Sequence, residues 1–577
     1  MTDAIITRVN GPVVEVETEG GLAMRELVEV GPQRLPGEVI ALEGPGATVQ
    51  VYEYTGGLRP GDQVITTGGP LAVDLGPGML GGVFDGILRP LWSAGAWIEP
   101  GSTRDAPTEG RTWAFTPSAR SGDRLSEGAT LGTVVESSAI DHHLLVPPGG
   151  GGRVDWIAAA GELHPGDTVA RVDGDELGLT QRWPVRRPRP ARARLAGAGP
   201  LVTGQRVLDL LFPIARGSTA AIPGGFGTGK TVALQQIAKW CDASVIVYVG
   251  CGERGNELAD VLEDFEALED PRTGRPLLDR TVLIANTSNM PVMAREASIY
   301  TGVTVAEYYR DMGYDAVVIA DSTSRWAEAL RELASRTNEL PAEEGYPAGL
   351  SSALADFYER AGRVQTLGGA VASVSILGAV SPPGGDLSEP VTSHTRRFVR
   401  AVWSLDRDLA YARHYPAVSW RDSSARDVDQ LAGWQAENGD PDWGERRSRA
   451  LRLLTDADRV ESIAQLVGAE SLPGQERITL RTARLLREAV MQQSAVLEND
   501  QFSAPPKQRA LLALVLEIHE RLTGLRGRGV PVAELEAVDL SGALRARYDT
   551  PPDGADEVEQ IGRELMQALD VLGGVAG

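Results

Sequence analysis

The stretch Gly224-Gly225-Phe226-Gly227-Thr228-Gly229-Lys230-Thr231 decides how this chain is read. Two glycines flank four residues, and Lys-Thr follows, which is the phosphate-loop spacing. Upstream, Thr219-Ala220-Ala221-Ile222 reads as a short strand, and downstream Val232 to Trp240 reads as a helix. Glycine lets the backbone turn its N–H groups toward an anion, and the N-terminus of the helix adds its dipole. Lys230 would reach the β- and γ-phosphates, and Thr231 would bind Mg2+. The expected nucleotide-binding residues are Gly224, Gly225, Phe226, Gly227, Thr228, Gly229, Lys230, Thr231 and Val232. A Gly-rich turn that binds nothing would leave the Lys-Thr pair, the strand and the helix without a reason.

The rest of the sequence surrounds this loop. At 577 residues the chain exceeds one ordinary domain, so about three or four units are expected. The formal net charge of -23 argues against a nucleic-acid partner, whose phosphates it would repel. The 2 cysteines, Cys241 and Cys251, supply no disulfide framework and read as small buried residues. The first residues have neither a basic start nor an apolar core, unlike a signal peptide. No apolar run is long enough to cross a bilayer; the longest, Gly369 to Val380, reads as a buried strand.

Taken in order, residues 1–70 alternate apolar and polar residues in short runs broken by Gly and Pro, which predicts a small β-barrel. Residues 71–109 form a connection into the nucleotide domain. Residues 110–190 read as an inserted β-rich unit that ends in a Pro- and Arg-rich linker, Trp183 to Pro190. Within this unit Asp141-His142-His143 has no Cys or spaced His nearby and reads as a solvated surface group, not a metal site. From 191 to 430 strands and helices alternate, the pattern of a doubly wound parallel sheet carrying the phosphate loop. Ser244 to Val249 and Asp315 to Ala320 are its expected buried strands, and Val303 to Met312 and Arg325 to Arg336 its expected helices. From 431 to 577 the apolar period becomes 3.6 and predicts a helical bundle. One stripe runs through Leu451, Leu454, Val460, Ile463, Leu466 and Val467, and is expected to face the core. The fold class is therefore multidomain α/β: barrel, inserted β-rich bulge, phosphate-loop domain and C-terminal helices.

Catalysis needs more than the loop. Ligands of parallel α/β sheets sit beyond the carboxyl ends of the strands. One such end carries Gly250-Cys251-Gly252-Glu253-Arg254-Gly255-Asn256-Glu257, and the other carries Asp321-Ser322-Thr323-Ser324-Arg325. Hydrolysis of a terminal phosphate requires a group that orients and deprotonates water, a role Glu253 can fill. Arg254 would hold Glu253 or steady the phosphate charge. Asp321 is the expected carboxylate beside Mg2+, although a strand ending in Asp is also a common helix cap.

At these residues the sequence resembles the catalytic A subunit (alpha chain) of the V/A-type rotary ATPases. The resemblance rests on Pro200 to Asp209, Gly250 to Leu258, Asn286-Thr287-Ser288-Asn289-Met290-Pro291, Ala294 to Ser298 and Ala320 to Ala329. It continues through Pro341 to Pro347, Ser381-Pro382-Pro383-Gly384-Gly385-Asp386 and Ser388-Glu389-Pro390-Val391-Thr392. It spans nearly the whole chain, including the β insertion before the phosphate loop. Gly252-Glu253-Arg254-Gly255-Asn256-Glu257 points away from the F-type β subunit and the export ATPases, and the intact phosphate loop points away from the non-catalytic B subunit. An RNA translocase sharing the core, or a ring subunit that binds nucleotide without turnover, are the competing classes. The net charge and Glu253 argue against the first, and Lys230, Glu253 and Asp321 against the second.

The resemblance implies interconversion of ATP and ADP plus phosphate, with Mg2+, coupled to proton or sodium transport. It implies a ring of alternating A and B subunits, an arginine finger supplied by B, a central rotor stalk, peripheral stalks and a membrane rotor. It places the chain on the cytoplasmic face of the membrane. Two positions depart from the family. Val402 stands where an aromatic usually precedes the Trp matching Trp403, and Gln492-Gln493-Ser494-Ala495 leads to Val496 where Phe or Tyr is usual. Both positions help to hold adenine in the family, so the resemblance implies a weaker base pocket here unless Phe226, Phe398 or Phe502 fills it.

Overall fold

The computed structural model describes residues 4–18, 20–91, 101, 111–270, 273–336 and 340–575. Much of the predicted connection 71–109 therefore lies outside the described residues. The chain forms two compact units. The first comprises 1–196, 216–219 and 243–399, and the second 197–215, 220–242 and 400–577.

The first unit begins with a closed six-stranded barrel between Ala4 and Pro70. Val13–Thr18 shows why: Val14 and Val16 point inward while Glu15 and Glu17 face water. The barrel core is almost wholly aliphatic, with Ile6, Val28, Val39, Val49 and Val64 buried. The inserted β-rich unit packs two four-stranded sheets over Trp113, Phe115, Leu131, Leu144 and Val154. After it, Gln181–Pro184 is a strand paired with Ala72–Leu75. Trp183 to Pro190 is thus no free linker. Arg186 bridges Glu38 and Glu296, and Arg189 pairs with Asp311, so the segment is anchored by buried ions.

The parallel sheet of this unit runs in the order Val371–Val380, Ala316–Asp321, Val245–Cys251, Thr281–Asn286, Val83–Phe84. Every residue of Val245–Cys251 and Ala316–Asp321 is buried, as continuous apolar runs demand when both faces are covered. The helix predicted from Val303 extends back to Val292, spanning Val292–Asp311. Its first half is buried on nearly all sides, so it carries no one-sided apolar stripe for a period of 3.6 to reveal. Helix Pro390–Phe398 explains another family motif. Glu389 caps it by accepting from the N–H groups of Val391 and Thr392 at 2.8 and 2.5 Å, and Pro390 sits at its first position.

In the second unit Ala220 and Ala221 pair in parallel with Ala401 and Val402, which pair with Ser424 and Ala425. The C-terminal part is helical, with Trp443–Val467, Gly474–Leu486, Pro505–Gly527 and Ala555–Val575 as the long members. Leu454, Val460, Ile478, Leu486 and Leu522 are at most 1% exposed. The predicted stripe is core only in part, because Ile463, Leu466 and Val467 are 38%, 86% and 54% exposed at the end of their helix.

The structure corrects the reading of Asp141-His142-His143. His142 is fully buried. Its Nδ1 lies 2.7 Å from Glu136 Oε2 and its Nε2 lies 2.9 Å from the Tyr308 hydroxyl. Tyr309 donates to the same carboxylate at 2.9 Å, and the N–H groups of Gly78 and Leu80 donate at 2.8 and 3.1 Å. Burial alone would raise the Glu136 carboxyl, but His142 and these donors hold it below its ordinary range. The histidine is thus a structural bolt between the inserted unit and helix Val292–Asp311. Replacing it by Ala removes the nearer partner of a buried carboxylate oxygen and the partner of the buried Tyr308 hydroxyl, so His142→Ala should destabilise the protein by about 1–3 kcal/mol. His143→Ala, at a half-buried position, should cost no more than about 0.5 kcal/mol. Thermal unfolding of the two variants side by side decides it, and equal midpoints would return His142 to the surface.

Candidate functional site

The phosphate loop closes as its sequence demands. Gly227 and Gly229 have φ values of 77° and 85°, the left-handed region that side chains resist. Gly224 is required for space, since a Cβ there would sit 2.7 Å from Thr228 Oγ1 and 2.9 Å from Leu405 Cβ. Thr228 locks the turn by donating to the Gly225 carbonyl at 2.8 Å. Helix Lys230–Trp240 starts directly at the lysine. Lys230 Nζ donates to the carbonyls of Gly224 at 2.5 Å and Gly225 at 3.0 Å, which holds the ammonium over the loop. Phe226 is 89% exposed and Val232 51%. Gly224 to Val232 are therefore brought together on one strand-loop-helix element, with the N-terminal N–H groups of the helix at its centre.

Beside this loop, within the same unit, lies a cavity of about 400 Å³. Its walls include Gly229, Val232, Leu405, Pro416, Ala495 and Val496. The aromatic ring in it is Tyr415, which sequence reasoning missed. Tyr415 packs close to the last loop glycine, for a Cβ on Gly229 would lie 3.4 Å from its ring. Its carbonyl accepts from Gln493 N–H at 2.8 Å, joining two walls of the cavity. A slot of mostly apolar walls with a few polar groups is what a purine base needs. Val496 lines it and is 85% exposed.

The other expected base residue does not belong to it. Val402 is 4% exposed, in the short strand beside Ala220–Ala221, and does not line the cavity. Trp403, next to it, is buried and donates Nε1–H to the Phe212 carbonyl at 2.8 Å. Of the rings proposed as substitutes, Phe226 points into solvent, Phe502 stacks on Trp240 at 5.0 Å between centroids, and none of Phe226, Phe398 and Phe502 lines the cavity.

The acidic residues lie in the first unit. Parallel pairing sets Gly250 opposite Asp321, so the two strands end side by side. Asp321 is 5% exposed and accepts from the Tyr248 hydroxyl at 3.0 Å. Burial, the nearby Asp321 charge and a hydrogen bond with Glu257 push the Glu253 carboxyl up to about 8, against the opposing pull of Arg325. A carboxyl poised near the working pH is suited to taking and giving a proton. Arg254 is exposed and forms no ion pair with Glu253 among the described residues. The cation that acts on Glu253 is Arg325, itself paired with Glu328 at 3.0 Å. Arg325 comes this close because Gly252, at φ 74°, has no side chain: a Cβ there would meet Arg325 Cβ at 2.7 Å. Glu257 lies four residues after Glu253 at the start of helix Gly255–Ala267, a spacing the sequence already displayed.

A glycine loop opening a helix at Lys-Thr, with an apolar slot beside it, defines a nucleotide-binding protein of the phosphate-loop class. Its relatives identify the member of the class. Residues 204–425 match the nucleotide-binding domain of the ATP synthase alpha/beta family, and 6–68 its beta-barrel domain. Residues 106–186 match the ATP synthase alpha/beta subunit barrel-sandwich domain, and 432–526 the C-terminal domain of V and A type ATP synthase. The chain is 50% identical to the A subunit of the A-type ATP synthase of Methanopyrus kandleri over 98% of both chains. It is also 50% identical to the V-type ATP synthase alpha chain of Nitrosococcus oceani, again over 98% of both. The chain belongs to this family of A-type A subunits and V-type alpha chains. Its fold is shared more widely: the type III secretion ATPase EscN of enteropathogenic E. coli superposes with a TM-score of 0.66, covering 89% of this chain and 100% of that one, at 20% identity.

Ring contact with a base contributes about 0.5–1.5 kcal/mol beyond area burial. Tyr415→Ala should therefore weaken nucleotide binding several-fold, and Val496→Tyr should tighten it. Val402→Phe should not, because that position is packed inside. Nucleotide affinities of the three variants in the assembled complex provide the check, and a tightening by Val402→Phe would refute this assignment.

Proposed function

We propose that this chain is the catalytic subunit of a V/A-type rotary ATPase/ATP synthase. It interconverts ATP with ADP and phosphate and is coupled to ion movement across a membrane. The observation that carries the proposal is the intact Gly224–Thr231 loop in a chain 50% identical, from end to end, to proteins named as A-type A subunits and V-type alpha chains. The raised Glu253 carboxyl supports turnover over a role confined to nucleotide binding.

In this reading the backbone N–H groups of Gly225 to Lys230 cradle the phosphates, and Lys230 neutralises charge on the terminal one. Tyr415 and Val496 take the two faces of the base. The Thr231 hydroxyl and the Asp321 carboxylate are each hard oxygen donors of the kind Mg2+ takes, and the resemblance assigns both to it; Mg2+ would supply charge neutralisation at the phosphates. Glu253, once ionised, accepts a proton from the attacking water, and in synthesis returns it. Burial beside Asp321 and Glu257 raises its proton affinity enough to make both directions possible. Arg325 limits that rise and positions the carboxylate, the task first given to Arg254.

The partners come from the family. They are a non-catalytic B subunit that alternates with this chain in a three-plus-three ring, a central stalk, peripheral stalks and a membrane rotor. No helix among the described residues is long and apolar enough to cross a membrane. In the family reading, other subunits make the link to the membrane, at its cytoplasmic face. The net charge of -23 gives no support to a nucleic-acid partner.

Two experiments test this. Lys230→Ala should lose hydrolysis together with phosphate affinity, whereas Glu253→Gln should bind nucleotide and fail to hydrolyse it. Because the Glu253 carboxyl of the free enzyme sits at about 8, kcat/KM should rise with pH through that region and level off above it. Any residual turnover in Glu253→Gln should lack the rising limb, and wild-type turnover that stays flat across this region would remove Glu253 from the base role. The second concerns the partner. A trans arginine is worth roughly a thousandfold or more in rate, so the isolated chain should be nearly inactive and regain activity with the B subunit. Full steady-state turnover by verified monomer would refute the shared site.

A further inference from the structure

Strand Val245–Cys251 is an apolar run with one hydroxyl in it, that of Tyr248. The side chain is 1% exposed, and its ring packs on Phe265 at 5.5 Å between centroids, with the planes tilted by 59°. A phenylalanine would fill this space as well, and a buried hydroxyl is costly unless it is hydrogen-bonded. The hydroxyl of Tyr248 donates to Asp321 Oδ2 at 3.0 Å. The contact follows from the register. Tyr248 pairs with Ile319, so Asp321 stands two residues further along the neighbouring strand and on the same face. Helix Gly255–Ala267 covers that face. A Cβ on Gly250 would lie 2.6 Å from Leu258 Cδ1, so this glycine lets the helix down onto the sheet. Phe265, seven residues after Leu258 on the same side of the helix, then meets the Tyr248 ring. The hydroxyl is thereby held from behind, and Asp321, itself 5% exposed, cannot turn without giving up the bond.

A carboxylate that serves a metal ion works best when another side chain fixes its orientation. Mg2+ makes this demand strongly, because it requires near-ideal octahedral geometry and is held through one or two carboxylates. We propose that Tyr248 is a positioning residue, whose hydroxyl fixes the Asp321 carboxylate in the orientation that Mg2+ requires. The inference rests on the reading of Asp321 as the carboxylate beside Mg2+. It gives a residue sealed inside the sheet a part in the reaction without contact with substrate. It also gives helix Gly255–Ala267 a second task. That helix begins just after Glu253 and, through Phe265, steadies the ring that holds Asp321.

The experiment reads Mg2+ dependence apart from turnover. Affinity for ADP in the assembled complex is measured by displacement of a fluorescent nucleotide, in EDTA and across a range of free Mg2+. Tyr248→Phe keeps the ring and removes the hydroxyl. It should bind ADP in EDTA as wild type does, and raise the half-saturating Mg2+ about tenfold or more, the usual effect of deleting a side chain that orients a metal ligand. Asp321→Asn should raise it at least as far. Adding Tyr248→Phe to Asp321→Asn should change nothing more, because the carboxylate to be oriented is gone. A packing role alone would lower the unfolding temperature and leave the Mg2+ requirement where it was. An unchanged requirement in Tyr248→Phe, beside a raised one in Asp321→Asn, overturns the inference and spares the reading of Asp321. An unchanged requirement in Asp321→Asn overturns both. Additive effects in the double variant, or an equal loss of affinity in EDTA, mark a general disturbance of the site and also overturn the inference. Should Tyr248→Phe fail to assemble, Phe265→Leu decides, since it keeps the hydroxyl and unpins the ring. It should raise the Mg2+ requirement without changing affinity in EDTA, and a requirement equal to that of wild type overturns the inference.

Discussion

The parallel register that sets Gly250 opposite Asp321 is the constraint on which the acidic chemistry depends. Two strands buried on both faces must end together, and the residues just past each end are released into the same space. That release places Glu253, three residues beyond Gly250, within the electrostatic reach of Asp321. Neither carboxylate alone would be noteworthy. Together, away from water, they cannot both be ionised cheaply, and the shift falls on Glu253. Asp321 itself is held by the Tyr248 hydroxyl, which donates to it at 3.0 Å. A pair of carboxyl groups driven apart in proton affinity is a general way to obtain a base near neutral pH. The glycine at 252 permits it, for only a residue without a side chain lets Arg325 approach and moderate the shift.

A different constraint governs the second unit. The segment from Gln492 to Val496 lines the cavity beside the phosphate loop, yet it belongs to no long helix or strand and cannot be positioned by a ladder. Charged hydrogen bonds position it instead. Asp500 accepts from the Ser494 N–H and pairs with Arg206 and Arg547, while Arg206 Nε and Nη2 donate to the carbonyls of Val490 and Gln492 at 2.9 and 2.6 Å. Lys507, also buried, gives its three protons to the carbonyls of Asn499, Arg547 and Thr550, and burial pulls its ammonium down to about 8. Buried ions contribute little net stability after desolvation, but each one fixes a geometry. Here the geometry fixed is that of the slot beside the phosphate loop, which ties the C-terminal helices to the surroundings of that loop through a few named contacts.

The inserted β-rich unit shows the same economy. Its own core is apolar and would fold by burial alone. Its attachment is polar and specific, through Glu136, His142 and two adjacent tyrosines of helix Val292–Asp311. A polar network that is fully satisfied resists sliding, because any displacement leaves a buried donor or acceptor without a partner.

Features that depend on local backbone and short spacing were legible in the residues alone. The phosphate loop was readable because its glycines, lysine and threonine act within one turn, and the barrel strands because alternation is a property of neighbours. Ser388 to Thr392 could be recognised but not understood, since the capping role of Glu389 needs the helix to exist. The division between inside and outside had to wait for the folded chain. His142 looked solvated because a lone histidine carries no periodic signal, and its partners stand in Glu136 and Tyr308, the latter 166 residues away. Val402 and Val496 looked equivalent as lost rings, yet one is sealed in a strand and the other is open to the cavity. Tyr415 supplied the ring that was sought elsewhere. Leu466 carried the apolar period of its helix beyond the point where the bundle covers it. In each case the residue type sets the chemical character of the side chain, but burial depends on which distant segment arrives to cover it.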